Sequence, residues 1–373
     1  MKKNVVIYTE RWCTGGIESL LANLIKNIDN SEFNVNLVVS QKETDIYDNL
    51  LEQCNINEIL EKKCTNPFKR IFKTIMKFKC KLKYKDIDTI HINIYNGVGL
   101  IYAYISRKMG IKNIIVHAHN TGIDNDKLGI KYRLHSICKK LFSKYADFYV
   151  ACSLEAANFC FNVPVQNKCI IINNGIDTAK FSYNEKIRNE YRKEFDLTDN
   201  FVIGNIARFV EQKNHDFLID VFAELKKMKK NAKLVLVGNG ILEKEIINKI
   251  KKEKIEKDVI ILKERNDIPC VLQMFDVFCF PSKYEGLGIV TIEAQAAGIK
   301  CIISDGVPKS VMITPNIKQM SLNEPPKLWA EEIIKESTTK NEKDTKKYLL
   351  SNGYDIKENT KQIEELYRKG QKN

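Results

Sequence analysis

Two glutamates, Glu285 and Glu293, stand eight positions apart in PSKYEGLGIVTIEAQAAG, residues 281–298. Along a helix that spacing is about 12 Å, at about 1.5 Å per residue. This is too far for a general acid and base to work on one bond. It suits the two ends of a sugar nucleotide, with one carboxylate near the sugar and the other accepting two hydrogen bonds from a ribose diol. Arg208 and Lys213 form an Arg-x4-Lys pair after an apolar run. Two fixed cations there would neutralise a diphosphate as it leaves, when its charge rises most. The turn Gly15-Gly16 opens a helix but is not a Gly-x-Gly-x-x-Gly fingerprint, which argues against a nicotinamide dehydrogenase. Gly238, in Val237-Gly238-Asn239-Gly240, lets the backbone approach a ligand closely. His117 and His119 are two of five histidines, and strand alternation is expected to send one to the sheet interior and one to the opposite face. No further His or Cys cluster supports zinc.

The elements that must position these groups alternate as short apolar runs and helical patterns, the signature of parallel α/β layers. A first series of strands is expected at residues 4–8, 35–39, 89–92, 113–117, 148–151 and 169–172. A second is expected at 201–207, 233–237, 259–262, 277–280 and 301–304. The Asn-Asn-Gly turn opening residues 173–183 separates them. Two Rossmann-like halves joined there would form a cleft, with ligands at the carboxyl ends of strands. Helices are expected at 16–28, 289–297 and 354–369, the last carrying Ile356, Ile363, Leu366 and Tyr367 at helical spacing.

Composition excludes several classes. A chain of 373 residues fits two domains of ordinary size, and no run approaches the ~20 apolar residues of a membrane span. The N-terminus turns acidic after a short apolar run, so it reads as a first strand and not a secretory signal. Eleven cysteines are scattered without a Cys-x-x-Cys pair, which suits a reducing cytosol. The net charge of +13 is concentrated in residues 62–85, which hold ten basic residues and no acidic one. Phe68, Ile71, Phe72, Ile75 and Met76 form an apolar stripe there beside basic residues that include Lys69, Arg70, Lys73 and Lys77. Such a helix suits an anionic membrane surface; its alternative is a solvated helix packing its stripe on the N-terminal domain. Nucleic acid is disfavoured, since no aromatic stacking pattern accompanies the charge.

The Glu285-GLGIVTI-Glu293 element, with Phe280-Pro281-Ser282 before it and Ala294-Gln295-Ala296-Ala297-Gly298 around its end, resembles the retaining glycosyltransferases of family 4. The likeness covers essentially the whole chain, and residues 304–311, 322–324 and the Trp329 region look like the capsular and exopolysaccharide branch. It implies an α/β GT-B fold: an acceptor domain over residues 1–177, completed by a crossover helix at 353–373, and a donor domain over 178–352. It implies that Arg208 and Lys213 hold the donor diphosphate, that Glu285 contacts the transferred sugar, and that Glu293 takes the ribose. The amides of Gly286, Leu287, Gly288 and Ile289 would lie near sugar and phosphates. Gly15 and Gly16 would bring backbone to donor and acceptor. Glu264, Arg265 and Asn266 resemble the family's base-recognition segment. His119 matches its active-site histidine, holding a sugar hydroxyl or making a backbone contact.

The resemblance further implies retention without a nucleophile, no metal or other cofactor, a UDP-sugar donor and a polyprenyl-diphosphate-linked glycan acceptor. The expected location is the inner face of the cell membrane, peripherally bound. Asp124-Asn125-Asp126 is a literal Asp-x-Asp but lies in the wrong domain, so it is read as a decoy. The rivals are a UDP-N-acetylglucosamine 2-epimerase-like enzyme and a noncatalytic basic module binding membrane or nucleic acid.

Overall fold

A computed structural model describes residues 2–13, 15–45, 47, 51, 54–60, 67–83, 86–123 and 129–370, with the side chains of residues 67–72 outside that description. The chain divides into two compact units, Met1–Gly175 with Gly353–Asn373, and Ile176–Asn352.

The first unit is built on seven parallel strands: β1 (Lys3–Trp12), β2 (Phe33–Lys42), β3 (Asn55–Glu58), β4 (Thr89–Ile94), β5 (Asn113–Ala118), β6 (Phe148–Ala151) and β7 (Ile170–Ile171). Their order is β3-β2-β1-β4-β5-β6-β7. Alternation along β1 assigns the two faces. Val6 and Tyr8 enter a core shared with Phe78, Leu82 and Tyr102. Val5 and Ile7 enter another, with Leu21, Leu24, Ile363 and Tyr367. Both faces are covered, so the strands read as nearly unbroken apolar runs.

The second unit carries β8 (Phe201–Ile206), β9 (Ala232–Val237), β10 (Val259–Leu262), β11 (Val277–Phe280), β12 (Lys300–Ser304) and β13 (Ile317–Met320). All pair in parallel, in the order β10-β9-β8-β11-β12-β13. The expected strands form, with ends shifted by up to four residues. The additions are β3 and β13, both on sheet edges, where one side needs no partner and polar sequences such as NINE and IKQM suffice.

The helix Ile356–Lys369 packs on the first unit, far from its neighbours in sequence. Ile356, Ile363, Leu366 and Tyr367 are the buried apolar residues of its inner face. Asn113 Nδ2 donates to the Leu366 carbonyl at 3.0 Å, and Arg368 grips Glu32 through Nε and a terminal nitrogen at 2.9 and 2.7 Å.

The basic helix spans Pro67–Leu82. Its seated face differs from the expected stripe. Thr74, Phe78 and Leu82 are buried, Ile75 packs beside them, and Met76 is 49% exposed next to exposed Lys73 and Lys77. The ring of Phe78 takes the core seat, edge-on to Tyr8 and Tyr102 at 4.9 Å. Met76, two residues away and so about 200° around the helix, is turned out. The side chains of Phe68, Lys69, Arg70, Ile71 and Phe72 lie outside the described residues, as do Asp124, Asn125 and Asp126. Among the described residues no helix is long and apolar enough to cross a membrane.

Candidate active site

In an open parallel sheet the order of strands reverses at one point, and the loops leaving the two strands there splay apart into a ligand crevice. In the second unit that point lies between β8 and β11. The two loops it parts are those carrying Arg208 with Lys213 and Glu285 with Glu293.

Arg208 leaves β8 exposed, while Phe209 beside it is fully buried and anchors the turn. A short 3-10 turn, Glu211–Lys213, then leads through Asn214 in the left-handed region (φ 55°) into the helix His215–Met228. Lys213 points back over the Phe280 ring, 5.1 Å from its centre, and its Nζ meets Glu285 Oε1 at 2.5 Å. Both side chains are largely buried, at 14% and 7% exposure. Ser282 Oγ donates to the same carboxylate oxygen at 2.5 Å. Glu285 therefore holds one ion pair and one hydroxyl before any ligand arrives.

Residues 285–288 are not helical, so helical rise does not measure the distance between the glutamates. Gly288 caps the helix Ile289–Ala296 with φ 77°, a conformation that costs glycine nothing. Gly286 is exposed, Leu287 is buried, and Ile289 is half-buried at the helix start, where the first amides have no intrahelical partner. Glu293, half-buried one turn on, has its pKa pushed up to about 7 by loss of water, against the pull of Lys180.

The close approach that the structure shows at Gly238 is within the chain. A Cβ there would lie 2.1 Å from the Ala207 carbonyl oxygen, and φ is 144°. The close approach is to the protein's own chain, with Asn239 O accepting from Phe209 N–H at 2.6 Å. The loop after β9 thus braces the loop that carries Arg208. Glu264 and Asn266 are exposed at the exit of β10, the edge strand two places from the switch point. Arg265 is tied by Nε to Asp267 at 2.7 Å and lies over Phe195. The structure does not bring these three to Glu285.

In the first unit the order reverses between β1 and β4. Gly15 is the extended N-cap and Gly16 the first residue of the helix Gly16–Asn27; Thr14 lies outside the described residues. A Cβ on Gly15 would lie 2.6 Å from Glu18 Oε2, so any larger residue there must move the Glu18 carboxylate. Glu18 is 3% exposed, accepts from Tyr95 OH at 3.2 Å and Cys13 Sγ at 3.5 Å, and has its pKa raised by burial. Neither Glu18 nor Tyr95 is marked out by a motif in the sequence; a glutamate three residues after a helix cap was the available signal.

His117 and His119 share one face, their rings 4.2 Å apart, which corrects the expected split: with a period of two, residues i and i+2 point the same way. Asn93 Nδ2 donates to the Tyr8 carbonyl, so its Oδ1 faces His119 Nε2 at 2.8 Å and must receive that proton. His117 Nδ1 meets His91 Nε2 at 3.2 Å, and His91 Nδ1 meets Tyr367 OH at 2.9 Å. Burial lowers all three pKa values, to about 3 for His91 and His119. His119 is a neutral hydrogen-bonding group, 6% exposed, and not a proton carrier at neutral pH.

Comparison with known proteins matches both halves of the chain. Residues 14–180 match the profile described as Glycosyltransferase Family 4, and residues 187–355 match Glycosyl transferases group 1. The chain belongs to this family. Among curated relatives, this glycosyltransferase is 29% identical to the putative glycosyltransferase EpsF of Bacillus subtilis, over 95% of this chain and 93% of that one. It is 26% identical to the capsular polysaccharide biosynthesis glycosyltransferase CapH of Staphylococcus aureus, over 95% of each. It is 24% identical, over 78% of this chain and 76% of the other, to an Escherichia coli UDP-Gal:alpha-D-GlcNAc-diphosphoundecaprenol alpha-1,3-galactosyltransferase. Among solved structures, Anabaena HepE in complex with UDP and glucose superposes with a TM-score of 0.76 at 17% identity, covering 98% of this chain and 99% of that chain. The fold is GT-B, and the chain is a glycosyltransferase of the hexosyltransferase type, in the branch that serves polysaccharide biosynthesis.

Proposed function

We propose that this glycosyltransferase moves a hexose or N-acetylhexosamine from a UDP-sugar to a polyprenyl-diphosphate-linked glycan, with retention of configuration, in capsule, exopolysaccharide or O-antigen synthesis. The observation that carries the reading is the pairing of Lys213 with Glu285 at the β8/β11 switch point, beside exposed Arg208. A diphosphate entering there meets two cations. A sugar beside it meets a carboxylate already oriented by Ser282.

In the proposed step the acceptor oxygen bonds to the anomeric carbon on the face the diphosphate leaves. The bond from that carbon to the phosphate oxygen breaks, and the acceptor's proton passes to that oxygen. The products are the glycoside and UDP. Arg208 and Lys213 supply the positive charge, so the proposal assigns no metal. Glu285 orients the sugar and Glu293 the ribose hydroxyls. Gly286 to Ile289 offer amides at a helix start, where the dipole favours anions. Glu264, Arg265 and Asn266 are assigned to the base, Gly238 to the donor loop that also braces Arg208, Gly15 and Gly16 to bringing backbone to donor and acceptor, and His119 to a hydroxyl of the transferred sugar or a backbone contact there. Relatives named for diphosphoundecaprenol acceptors support the acceptor class.

The exposed Lys73–Met76–Lys77 surface, continued through Lys69, Arg70 and Phe72 in the sequence, is assigned to the anionic cytoplasmic face of the membrane. Calorimetry with UDP-, GDP- and ADP-sugars tests the donor: stabilisation by the UDP compounds is expected, and binding of none of them would sink the assignment. Flotation on anionic vesicles tests the surface, since Lys73→Glu with Lys77→Glu should cut binding several-fold and leave donor hydrolysis intact.

A further inference from the structure

Residues 211–213 and 282–285 run alongside each other in register. Gln212 faces three consecutive residues of the glutamate loop and bonds to two of them, Lys283 and Tyr284. Its carbonyl oxygen accepts from Lys283 N–H at 2.8 Å and faces Ser282 Oγ at 3.0 Å, and its side-chain Nε2 donates to the Tyr284 carbonyl at 2.8 Å. One residue later Lys213 meets Glu285, and one residue earlier Glu211 Oε1 meets Lys283 Nζ at 3.0 Å.

Ser282 has one hydroxyl proton and three acceptors within reach: Gln212 O, Tyr284 O at 3.3 Å and Glu285 Oε1. The ionised carboxylate takes it, because charge-assisted hydrogen bonds are the stronger ones. The glutamate loop is then fixed to the cation segment by the Lys283 amide and by the Gln212 side-chain amide. Lys283, Tyr284 and Gly286 are exposed; on its other side the loop is held by the Glu285 amide donating to the Gly306 carbonyl at 2.9 Å and by Ser304 Oγ donating to the Ser282 carbonyl.

We infer that Gln212 is a positioning residue that staples the Glu285 loop to the Arg208–Lys213 segment, so that carboxylate and cations meet the donor as one preset unit. The functional half of this inference rests on the donor-site reading above. When Lys213 turns from Glu285 to a diphosphate, the carboxylate loses its ion pair, and the staple with Ser282 keeps it in place. A displacement of about 1 Å at such a site costs rate steeply.

Two variants separate this role from general packing. Gln212→Met keeps length and removes the N–H donor, whereas Gln212→Arg keeps a donor; both retain the main-chain bonds. In Gln212→Met, amide hydrogen exchange over residues 283–286 should rise about tenfold. The margin by which the tighter of UDP-glucose and UDP-N-acetylglucosamine outbinds UDP should fall about tenfold, with UDP affinity within twofold of the parent. Gln212→Arg should stay within twofold throughout. Unchanged exchange in Gln212→Met would overturn the staple. Equal weakening of UDP and UDP-sugar would overturn the positioning role, since that is what loosened packing gives. Parent protein that binds no uridine nucleotide would overturn the donor reading itself, with the exchange arm still deciding the staple.

Discussion

The two sheets reverse strand order in the same way but arm their switch points with opposite electrostatics. Between β8 and β11 the groups are charged and paired: Lys213 on Glu285, with exposed Arg208 nearby. Between β1 and β4, and onward to β5, they are mostly buried and uncharged: Asn93, half-buried Tyr95 and three imidazoles, with two carboxyls, Glu10 and Glu18, the second of which burial raises in pKa. One scaffold thus offers a site suited to a polyanion and another suited to hydroxyl groups. In the second unit the charged groups stand on the loops, whereas in the first His91, Asn93 and His117 stand in β4 and β5 themselves.

The sharpest way to break this contrast is at Glu285. Glu285→Ala should lower kcat/KM by about a thousandfold, because it removes a preorganised contact and leaves Lys213 without its partner. Arg208→Ala should cost about a hundredfold with thermal stability unchanged, since the side chain is exposed. His119→Ala should cost only about tenfold in rate while destabilising the fold, because it strands the Asn93 carbonyl oxygen inside the first unit. Steady-state kinetics beside thermal melts check all three. A His119 variant as damaged in rate as Glu285→Ala would erase the contrast.

Acidity should pull the two units in opposite directions. The imidazoles of the first unit have folded pKa values below the usual 6.5, so the unfolded chain binds more protons between about pH 6.5 and 3 and stability falls as pH drops through that window. Glu293 is the reverse. Its folded pKa of about 7 exceeds the ordinary 4.5, so its contribution is present below pH 4.5 and is lost as pH rises toward 7. A diol binds the carboxylate form, so donor affinity should tighten from pH 6 to 8, and Glu293→Gln should flatten that slope. A titration with equal slopes in parent and variant would remove Glu293 from the donor site. The smallest effect is expected at Tyr367→Phe, about 1 kcal/mol from denaturant unfolding, for the single bond to His91.

Much of this was legible in the sequence because burial on both sides of a sheet leaves runs such as Val277–Phe280 and Val259–Leu262 without polar interruption. The place of Arg208, Lys213 and Glu285 at strand exits beside the switch point was legible because the apolar runs before them mark where the strands end. Gln212 was not, since half of its work is done by a carbonyl oxygen that every residue possesses. Gly238 was read as room for a ligand because close approach has the same sequence mark whether the neighbour is a ligand or Ala207. Met76 was placed on the wrong face because the residue two positions on, Phe78, competes for the same core and fills it better. The edge strand Asn55–Glu58 carries no apolar run at all.

The helix Ile356–Lys369 closes a core begun by β1, so the first unit's inner face has no Ile363, Leu366 or Tyr367 until the whole second unit has been made. A chain leaving the ribosome amino end first folds its domains in that order as a rule. Here the second unit has all its strands before the first has its last helix. The domain translated earliest is the one completed last, and a released chain truncated before residue 356 should hold a protease-resistant second unit beside a first unit that is still being cut.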